Sequence, residues 1–251
     1  MIVQAQVNGS GPFNFLLDTG TTRTVIDPEL ARQLDAPVVG EVSLTGALRR
    51  RQDKLVQLAS VELDGASVSN FAAVVDRLTR QKILAPGIRG VIGEDFLSNF
   101  DFLVDYKRHW LSFGDPVPAG ERCRFQRIGE YHGEPTTNRL LLPVEVIGVS
   151  RETFQLQLDS GAKVPELFPA GSEGTSTLPS GGTMATSSGA NGTKIQSNVT
   201  LKVGGTQVRG MDLVQSRRTL AFDSAGLLPT SIFRRIYISH SGGFVILNPS
   251  E

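Results

Sequence analysis

The chain has 251 residues, with 25 basic and 25 acidic side chains and therefore a formal net charge of zero. This balance gives no electrostatic reason to expect binding to nucleic acid or to an anionic membrane. No apolar run approaches the roughly 20 residues that span a bilayer as a helix, and the single cysteine, Cys123, excludes an internal disulfide. The 27 glycines and 13 prolines, among many Val, Leu and Thr residues, favour short strands joined by turns.

The first half of the chain is predicted to consist of short strands with two short helices. Apolar residues alternate over 3–7, and the hairpin signal Asn8-Gly9 returns the chain into a second strand that ends at Leu17. Asp27-Pro28 is an N-cap followed by proline at the first helical position. The predicted strands of this half are 3–7, 13–17, 24–26, 58–63, 68–75, 102–106 and 110–113, and the predicted helices are 28–34 and 94–97.

Two copies of one short pattern stand at the ends of predicted strands. The strand 13–17 runs into Asp18-Thr19-Gly20, and the strand 154–158 runs into Asp159-Ser160-Gly161. The glycine permits a tight turn and a close approach that a Cβ atom would resist. Each pattern therefore predicts a carboxylate that is held at the tip of a strand.

The landmarks that follow the two Asp motifs repeat in the same order, which indicates an internal duplication of about 110 to 130 residues. The sequence thus predicts an all-β fold of two lobes related by a pseudo-two-fold axis. The predicted domains are 1–114 and 140–251, joined by a turn-rich linker at 115–139. The corresponding segments are 60–65 with 199–205, 89–93 with 225–229, 95–97 with 231–233, and 109–113 with 243–247.

Two equivalent lobes would bring the two Asp turns together at the axis between them. Asp18 and Asp159 would then share one proton, because two carboxylates a few ångströms apart cannot both ionise cheaply. Such a pair can hold a water molecule. The ionised carboxylate takes a proton from the water as it attacks a carbonyl, and the protonated carboxyl donates towards the developing oxyanion. This chemistry needs no metal and no bound cofactor.

At these residues the chain resembles the pepsin/retropepsin superfamily of aspartic peptidases, and especially the bacterial retropepsin-like proteins, with both lobes on one chain. The segments that carry the resemblance are 17–20 with 91–93, and 158–161 with 226–228. The resemblance implies an all-β fold of two retropepsin-like lobes, each with a short helix. It also implies an aspartic endopeptidase in which Asp18 and Asp159 are the catalytic pair, without a cofactor or a metal.

The same resemblance assigns supporting roles to the residues beside the two aspartates. Thr19 and Ser160 would form the family's hydroxyl hydrogen bonds to the backbone of the opposite lobe. Gly20 and Gly161 would complete the two active-site turns. All four residues are therefore predicted to hold the turns in place rather than to react.

The residue that follows each motif differs between the halves, and this asymmetry predicts different roles for the two aspartates. Thr21 follows the first motif and can donate a hydrogen bond to Asp18, which favours its charged form, whereas Ala162 follows the second motif. We therefore expect Asp18 to be mostly the ionised base and Asp159 mostly the protonated acid.

Three features depart from the family pattern. Pro229 stands where the family has glycine, and proline lacks an N–H group and fixes φ, so the support of the second turn must differ. Lys163 places a positive charge just after the second turn, where it could disturb proton sharing. The segment 40–56 contains no tyrosine that corresponds to the flap tyrosine of pepsin. We predict a solvated hairpin there, with a substrate-contacting flap as the alternative.

Two further patterns are weak guides to function. The segment 170–194 is dominated by Gly, Ser and Thr, which predicts a surface loop, with a flexible cover over a cleft as the alternative. The three histidines, His109, His132 and His240, show no metal-ligand spacing and are predicted to lie on the surface.

Three functional interpretations follow from these residues. The first is a monomeric, bilobal aspartic endopeptidase that acts on a peptide or an unfolded protein. The second is a catalytically inactive pepsin-like module that binds peptide or protein, because the second lobe has diverged at Pro229 and Lys163. The third is a homodimer in which Asp18 pairs with its own copy, as in single-lobe retropepsins. The activity of an Asp159→Asn variant that sediments as a monomer distinguishes the first from the third.

The sequence leaves the cellular compartment unknown. The residues after Met1 predict a strand rather than a signal peptide. Export to the periplasm or to the outside of the cell, with a leader absent from this sequence, is one interpretation. No nucleic acid partner and no membrane span are expected.

Overall fold

The computed structural model describes residues 1–45, 50–76, 86–131, 134–149, 152–168, 194–216 and 224–250. Strands dominate these segments and close into two barrels, so the prediction of an all-β fold of two lobes is confirmed. No helix among the described residues is both long enough and apolar enough to cross a membrane.

The described part of the first half contains nine strands and two short helices. Its strands are β1 (Ile2–Val7), β2 (Ser10–Leu17), β3 (Val25–Ile26), β4 (Val38–Thr45), β5 (Arg50–Leu63), β6 (Ala66–Val75), β7 (Ile88–Ile92), β8 (Phe102–Asp105) and β9 (Trp110–Phe113). Its helices are α1 (Pro28–Gln33) and α2 (Glu94–Leu97). The side chain of Asp27 accepts a hydrogen bond from the N–H of Leu30 and so caps α1, as the Asp27-Pro28 pattern predicted.

The described part of the second half repeats this order of elements. Its strands are β10 (Arg122–Arg124), β11 (Gln126–Tyr131), β12 (Glu134–Ile147), β13 (Thr153–Asp159), β14 (Glu166–Leu167), β15 (Lys194–Val203), β16 (Thr206–Gln215), β17 (Gly226–Pro229), β18 (Arg235–Ser239) and β19 (Phe244–Leu247). The short helix after β17 is a 3-10 turn over Thr230–Ile232.

Each half closes six of its strands into a barrel. In the first lobe the strands follow the order β1-β2-β7-β3-β6-β5, and β5 pairs again with β1. In the second lobe they follow β12-β13-β17-β14-β16-β15, and β15 pairs with β12. Side chains alternate along the strands: in β1, Val3, Ala5 and Val7 point into the core. Burial of each large core side chain stabilises the fold by about 1.5–3 kcal/mol.

A parallel strand pair in each lobe carries the Asp turn. In the first lobe β2 lies beside β7, with Leu17 opposite Ile92. In the second lobe β13 lies beside β17, with Leu158 opposite Leu228. Leu17 and Leu158 are fully buried, so the cores of the two barrels fix the chain segments that lead into the Asp motifs.

A third sheet joins the two halves, in the order β10-β19-β18-β8-β9. Its central pair is β8 of the first half and β18 of the second half, which run antiparallel with Val104 opposite Ile236. The predicted linker, 115–139, also contributes strands: β10 pairs with β19, and β11 pairs with β12. The described residues of this segment therefore include strands that complete neighbouring sheets. The boundaries of the two domains stay a prediction.

The structure describes most of the segment 40–56 but almost none of the segment 170–194, the two alternative covers over a cleft. The segment 40–56 forms a hairpin in which β4 and β5 pair from Val38 with Val56 to Thr45 with Arg50. Its tip, 46–49, lies outside the described residues, as does almost all of the predicted loop 170–194. The choice between a surface loop and a cover over a cleft therefore stays a prediction.

Candidate active site

The first Asp turn begins where β2 ends. The N–H of Asp18 donates to the carbonyl of Ile92 at 3.0 Å, so the strand pairing continues to the aspartate itself. The carboxylate then accepts two hydrogen bonds from its own turn, one from the N–H of Gly20 to Oδ1 at 2.8 Å and one from the hydroxyl of Thr21 to Oδ2 at 3.0 Å. Both carboxylate oxygens of Asp18 are therefore held by the turn.

The second Asp turn holds its carboxyl differently. Gly161 and Ala162 both donate their N–H groups to the same oxygen, Oδ1 of Asp159, at 2.7 and 2.9 Å. In the described residues Oδ2 of Asp159 receives no hydrogen bond from its own turn. This difference follows from the sequence, because Ala162 has no hydroxyl where Thr21 has one.

Four hydrogen bonds tie the two turns to each other. The hydroxyl of Thr19 donates to the carbonyl of Leu158 at 3.1 Å and accepts from the N–H of Ser160 at 3.0 Å. The hydroxyl of Ser160 donates to the carbonyl of Leu17 at 2.8 Å and accepts from the N–H of Thr19 at 3.0 Å. The arrangement is reciprocal, and all four bonds are buried, so each turn fixes the other.

This exchange brings the two predicted aspartates face to face. A Cβ atom added to Gly20 would lie 2.5 Å from Cγ of Asp159, and one added to Gly161 would lie 2.8 Å from Cγ of Asp18. Each carboxyl therefore packs over the glycine of the opposite turn, where no side chain fits. The structure places all of the predicted site residues in this one centre between the lobes.

The electrostatics of the centre favour a proton on one carboxyl. Burial, followed by the negative charge of Asp18 and a hydrogen bond between the two carboxyls, raises the pKa of Asp159 to about 8, although the N–H groups of Ala162 and Gly161 act in the opposite direction. Lys163 is exposed, and its charge is not among these causes. These surroundings favour a proton on Asp159.

The two lobes support their Asp turns by different means. In the first lobe the N–H of Gly93 donates to the hydroxyl of Thr24 at 3.1 Å. The equivalent position in the second lobe is Pro229, which has no N–H, and Pro165 stands directly before β14 where Thr24 stands directly before β3. Donor and acceptor are thus replaced together. The second lobe therefore differs from the first at residue 229, as predicted. Because the N–H donor and the hydroxyl acceptor are both absent, neither is left without its partner.

Two supporting contacts were not foreseen from the sequence. The side chain of Gln157, which is fully buried, donates to the carbonyl of Gly20 in the opposite turn at 2.9 Å. The hydroxyl of Tyr106, from the first half, forms a short hydrogen bond with the hydroxyl of Thr230 in the second half. Burial raises the pKa of Tyr106 to about 12 together with the charges of Asp159 and Asp18, although the hydrogen bond with Thr230 acts in the opposite direction.

One prediction is wrong: His240 does not lie on the surface. The residue is 5% exposed, and its ring lies between those of Phe102 and Phe125, with ring-centre distances of 5.9 and 6.1 Å. The turn that carries it is folded against the first lobe, and an isolated histidine in a Ser-Gly-rich segment gives no sequence signal of that contact. His109 is exposed, as predicted, and His132 lies outside the described residues.

Among the described residues, no group of three or more His, Cys, Asp or Glu side chains is placed to hold a metal ion. The centre itself presents two carboxyls in unequal surroundings. Such a pair can act as a general base and a general acid at the same time.

Comparison with known proteins gave a match to one family model and matches to solved structures. Residues 3–96, which include the first Asp turn and its support, match the family described as aspartyl protease. A retropepsin-like aspartic protease from Rickettsia conorii is similar in structure, with 20% identity, a TM-score of 0.29, and coverage of 39% of this chain and 70% of that chain. No curated protein matches the sequence.

Proposed function

We propose that this chain, whose residues 3–96 match the aspartyl protease family, is an aspartic endopeptidase with Asp18 and Asp159 as its catalytic pair. The observation that carries the proposal is the reciprocal packing of each carboxyl against the glycine of the opposite turn. That packing unites the two aspartates within one chain. It therefore favours a monomeric enzyme over a dimer that pairs Asp18 with its own copy.

The different hydrogen bonds of the two carboxyls assign their roles. Asp18 is the ionised base, since Gly20 and the hydroxyl of Thr21 donate to its two oxygens and so stabilise the charge. Asp159 is the acid, since both of its turn hydrogen bonds go to Oδ1 and its Oδ2 is left to carry the proton. The raised pKa of Asp159 supports the same assignment.

The reaction begins with a water molecule between the two carboxyls. Asp18 takes one proton from the water, the water oxygen bonds to the peptide carbonyl carbon, and Asp159 gives its proton to the carbonyl oxygen. In the second step Asp18 passes its proton to the amide nitrogen and the C–N bond breaks. Asp159 at the same time takes a proton back from one hydroxyl of the tetrahedral intermediate. The pair ends as it began, with one shared proton.

The substrate class follows from the family and from the position of the pair. A carboxyl pair between two lobes can reach a peptide bond only in an extended segment, so we propose a peptide or an unfolded protein as substrate. Which sequences are cut is a question for experiment.

The experiment is cleavage of a mixed, unfolded protein substrate from about pH 3 to pH 8. Wild type is compared with Asp18→Asn, Asp159→Asn and a matched control, Asp64→Asn. Asp64 lies in an exposed turn at φ 48°, a conformation that asparagine also adopts, so the control makes the same chemical change away from the centre. We expect at least about a thousandfold loss of kcat/KM in the first two variants and none in the control.

The same experiment separates the alternatives. Activity that persists in Asp159→Asn would assign catalysis to Asp18 alone, and sedimentation would then reveal a dimer. A folded wild-type protein that binds peptides but cuts none at any pH would be a peptide-binding module. In either case the proposed mechanism would be abandoned.

A further inference from the structure

The two lobes touch each other through a second set of equivalent residues, behind the aspartates. Tyr106 directly follows Asp105, the last residue of β8, which pairs with Trp110, the first residue of β9. His240 directly follows Ser239, the last residue of β18, which pairs with Phe244, the first residue of β19. They are therefore equivalent positions, each the first residue of a hairpin turn in the sheet that joins the halves. Each reaches into the opposite lobe.

Their targets are equivalent as well. Tyr106 contacts Thr230, and His240 contacts Glu94, with 3.6 Å between Nε2 of the histidine and Oε2 of the glutamate. Thr230 and Glu94 are the first residues of the short helices that follow β17 and β7. The pseudo-two-fold axis thus relates a neutral pair, Tyr106 with Thr230, to a titratable pair, His240 with Glu94.

Glu94 is a buried carboxyl with few partners. Its side chain is 0% exposed, and neither of its oxygens accepts or donates a hydrogen bond within the described part of the chain. The ring nitrogens of His240 are equally without hydrogen bonds among the described residues. A displacement of about 0.6 Å would bring Nε2 and Oε2 to hydrogen-bond distance. The two groups are therefore each other's natural partner.

Glu94 is connected to Asp18 of the catalytic pair through Thr21, by two hydrogen bonds. The N–H of Glu94 donates to the carbonyl of Thr21 at 2.8 Å. The hydroxyl of the same threonine donates to Asp18 at 3.0 Å. The backbone of Glu94 thus helps to place the residue that holds the proposed base, and its side chain lies within electrostatic reach of Asp18.

We propose that Glu94 is a third carboxyl of the active centre and that it stays protonated, with neutral His240 as the acceptor of its hydrogen bond. This uncharged pair positions Thr21 and keeps a second negative charge away from Asp18. The inference rests on the proposed function, because Asp18 must be the ionised base for the charge of Glu94 to matter. An ionised Glu94 would favour a proton on Asp18, since a like charge disfavours ionisation.

The charges that face the pair support the uncharged state. Burial raises the pKa of Glu94 well above its usual range, Asp18 and Asp95 act in the same direction, and Arg127 opposes them. Burial and the charge of Arg127 lower the pKa of His240 to about 4, although the charge of Asp101 acts in the opposite direction. Arg127 itself donates to the backbone carbonyl of His240. The histidine is therefore free of a proton under the conditions where the carboxyl still holds one.

The test compares the stability of wild type and Glu94→Gln as a function of pH, by urea unfolding. Glutamine keeps the shape and can donate to Nε2 of His240, but it cannot ionise. The proposal means that Glu94 holds a proton in the folded protein, whereas the unfolded chain releases this proton above pH ~4.3. From about pH 5 to pH 7, the ratio of the unfolding constant of wild type to that of Glu94→Gln should then rise about tenfold with each pH unit. A ratio that stays constant over this range overturns the proposal.

Tyr106→Phe is the matched control, because it alters the equivalent contact in the other lobe without a group that titrates in this range. Its unfolding constant should keep a constant ratio to that of wild type from pH 5 to pH 7. A second measurement needs no variant: the carboxyl ¹³C resonance of Glu94 in the wild-type protein should stay at its protonated position at pH 6. An ionised position there also overturns the proposal. Neither measurement depends on peptidase activity.

The influence on the catalytic pair is read from the pH profile of kcat/KM. Because Glu94 is uncharged where Asp18 ionises, the acid limb of Glu94→Gln should keep its midpoint within ~0.3 pH units of wild type. A lower midpoint would show that wild-type Glu94 carries a charge next to Asp18, and it would contradict the proposal. If wild type cuts no peptide at all, the proposed function fails, while the stability test still decides the protonation of Glu94.

Discussion

Thr19 and Ser160 exchange hydrogen bonds across the interface between the lobes: each hydroxyl accepts the backbone N–H of the other residue, at 3.0 Å in both directions. Each hydroxyl also donates to a carbonyl in the opposite lobe. Both side chains are buried, so water cannot replace these bonds. The two residues therefore connect the positions of the carboxyls to the stability of the whole chain.

Ser160→Ala is expected to destabilise the protein by about 2–4 kcal/mol, because it leaves the N–H of Thr19 and the carbonyl of Leu17 buried without this partner. Ser160→Thr keeps the hydroxyl and is the matched control, with a loss below about 1.5 kcal/mol expected from its extra methyl group. Urea unfolding measures both. Equal stability of the alanine variant and wild type would show that the exchange is not formed in solution.

The glycines of the two turns give a second prediction, which concerns activity more than stability. Gly20→Ala would place a Cβ atom 2.5 Å from Cγ of Asp159, so the carboxyl must move. We expect kcat/KM to fall by about a hundredfold or more, since displacement of a catalytic group by an ångström has effects of this size. Gly40→Ala is the control, because its Cβ atom would meet no other atom within 4 Å.

Circular dichroism and unfolding should show that Gly20→Ala remains folded. Full activity in that variant would mean that Asp159 does not need to lie over Gly20, and the proposed geometry of the pair would be wrong.

Much of this arrangement could be predicted from the sequence, because it depends on local patterns that occur twice. The Asp motifs at the ends of apolar strands, and the ordered landmarks behind them, are visible without coordinates. Other parts were not predictable, since they depend on contacts between distant segments. Gln157 reads as the polar position of an alternating strand, yet it is fully buried and reaches Gly20. Tyr106 and Thr230, 124 positions apart, give no sign of their contact.

The pH dependence of activity gives a third prediction. Burial and the charge of Asp18 raise the pKa of Asp159 to about 8, so the acid of the pair keeps its proton through neutral pH. Activity should therefore extend to neutral pH and fall as the pH rises through about 8, where Asp159 ionises. The two carboxyls titrate as a pair, so the profile reports apparent values of the pair. A loss of activity between pH 5 and pH 6 would contradict this expectation.

The acid limb of the same profile tests the hydrogen bond from Thr21. Thr21→Ala removes a donor to the ionised carboxylate, so the lower apparent pKa of the pair should rise by about 0.5–1 unit. Thr21→Ser retains the hydroxyl and should leave this limb in place. An unchanged acid limb in the alanine variant would remove the basis for assigning Asp18 as the base.

The paired prolines of the second lobe give the last prediction. In the first lobe the N–H of Gly93 donates to the hydroxyl of Thr24, and in the second lobe Pro229 and Pro165 replace both groups. Pro229→Gly restores the buried N–H without restoring its acceptor, and it also increases the freedom of the unfolded chain. We expect a loss of about 2–3 kcal/mol in stability, together with reduced kcat, because Pro229 lies beside Asp159.

Adding Pro165→Thr supplies the missing acceptor. The double variant should recover at least about 1 kcal/mol relative to the sum of the two single variants, and such coupling is the signature of a direct contact. Urea unfolding of the four proteins completes the cycle. Additive losses would mean that the two prolines did not replace a donor and its acceptor together, and that the second lobe supports its Asp turn by some other contact.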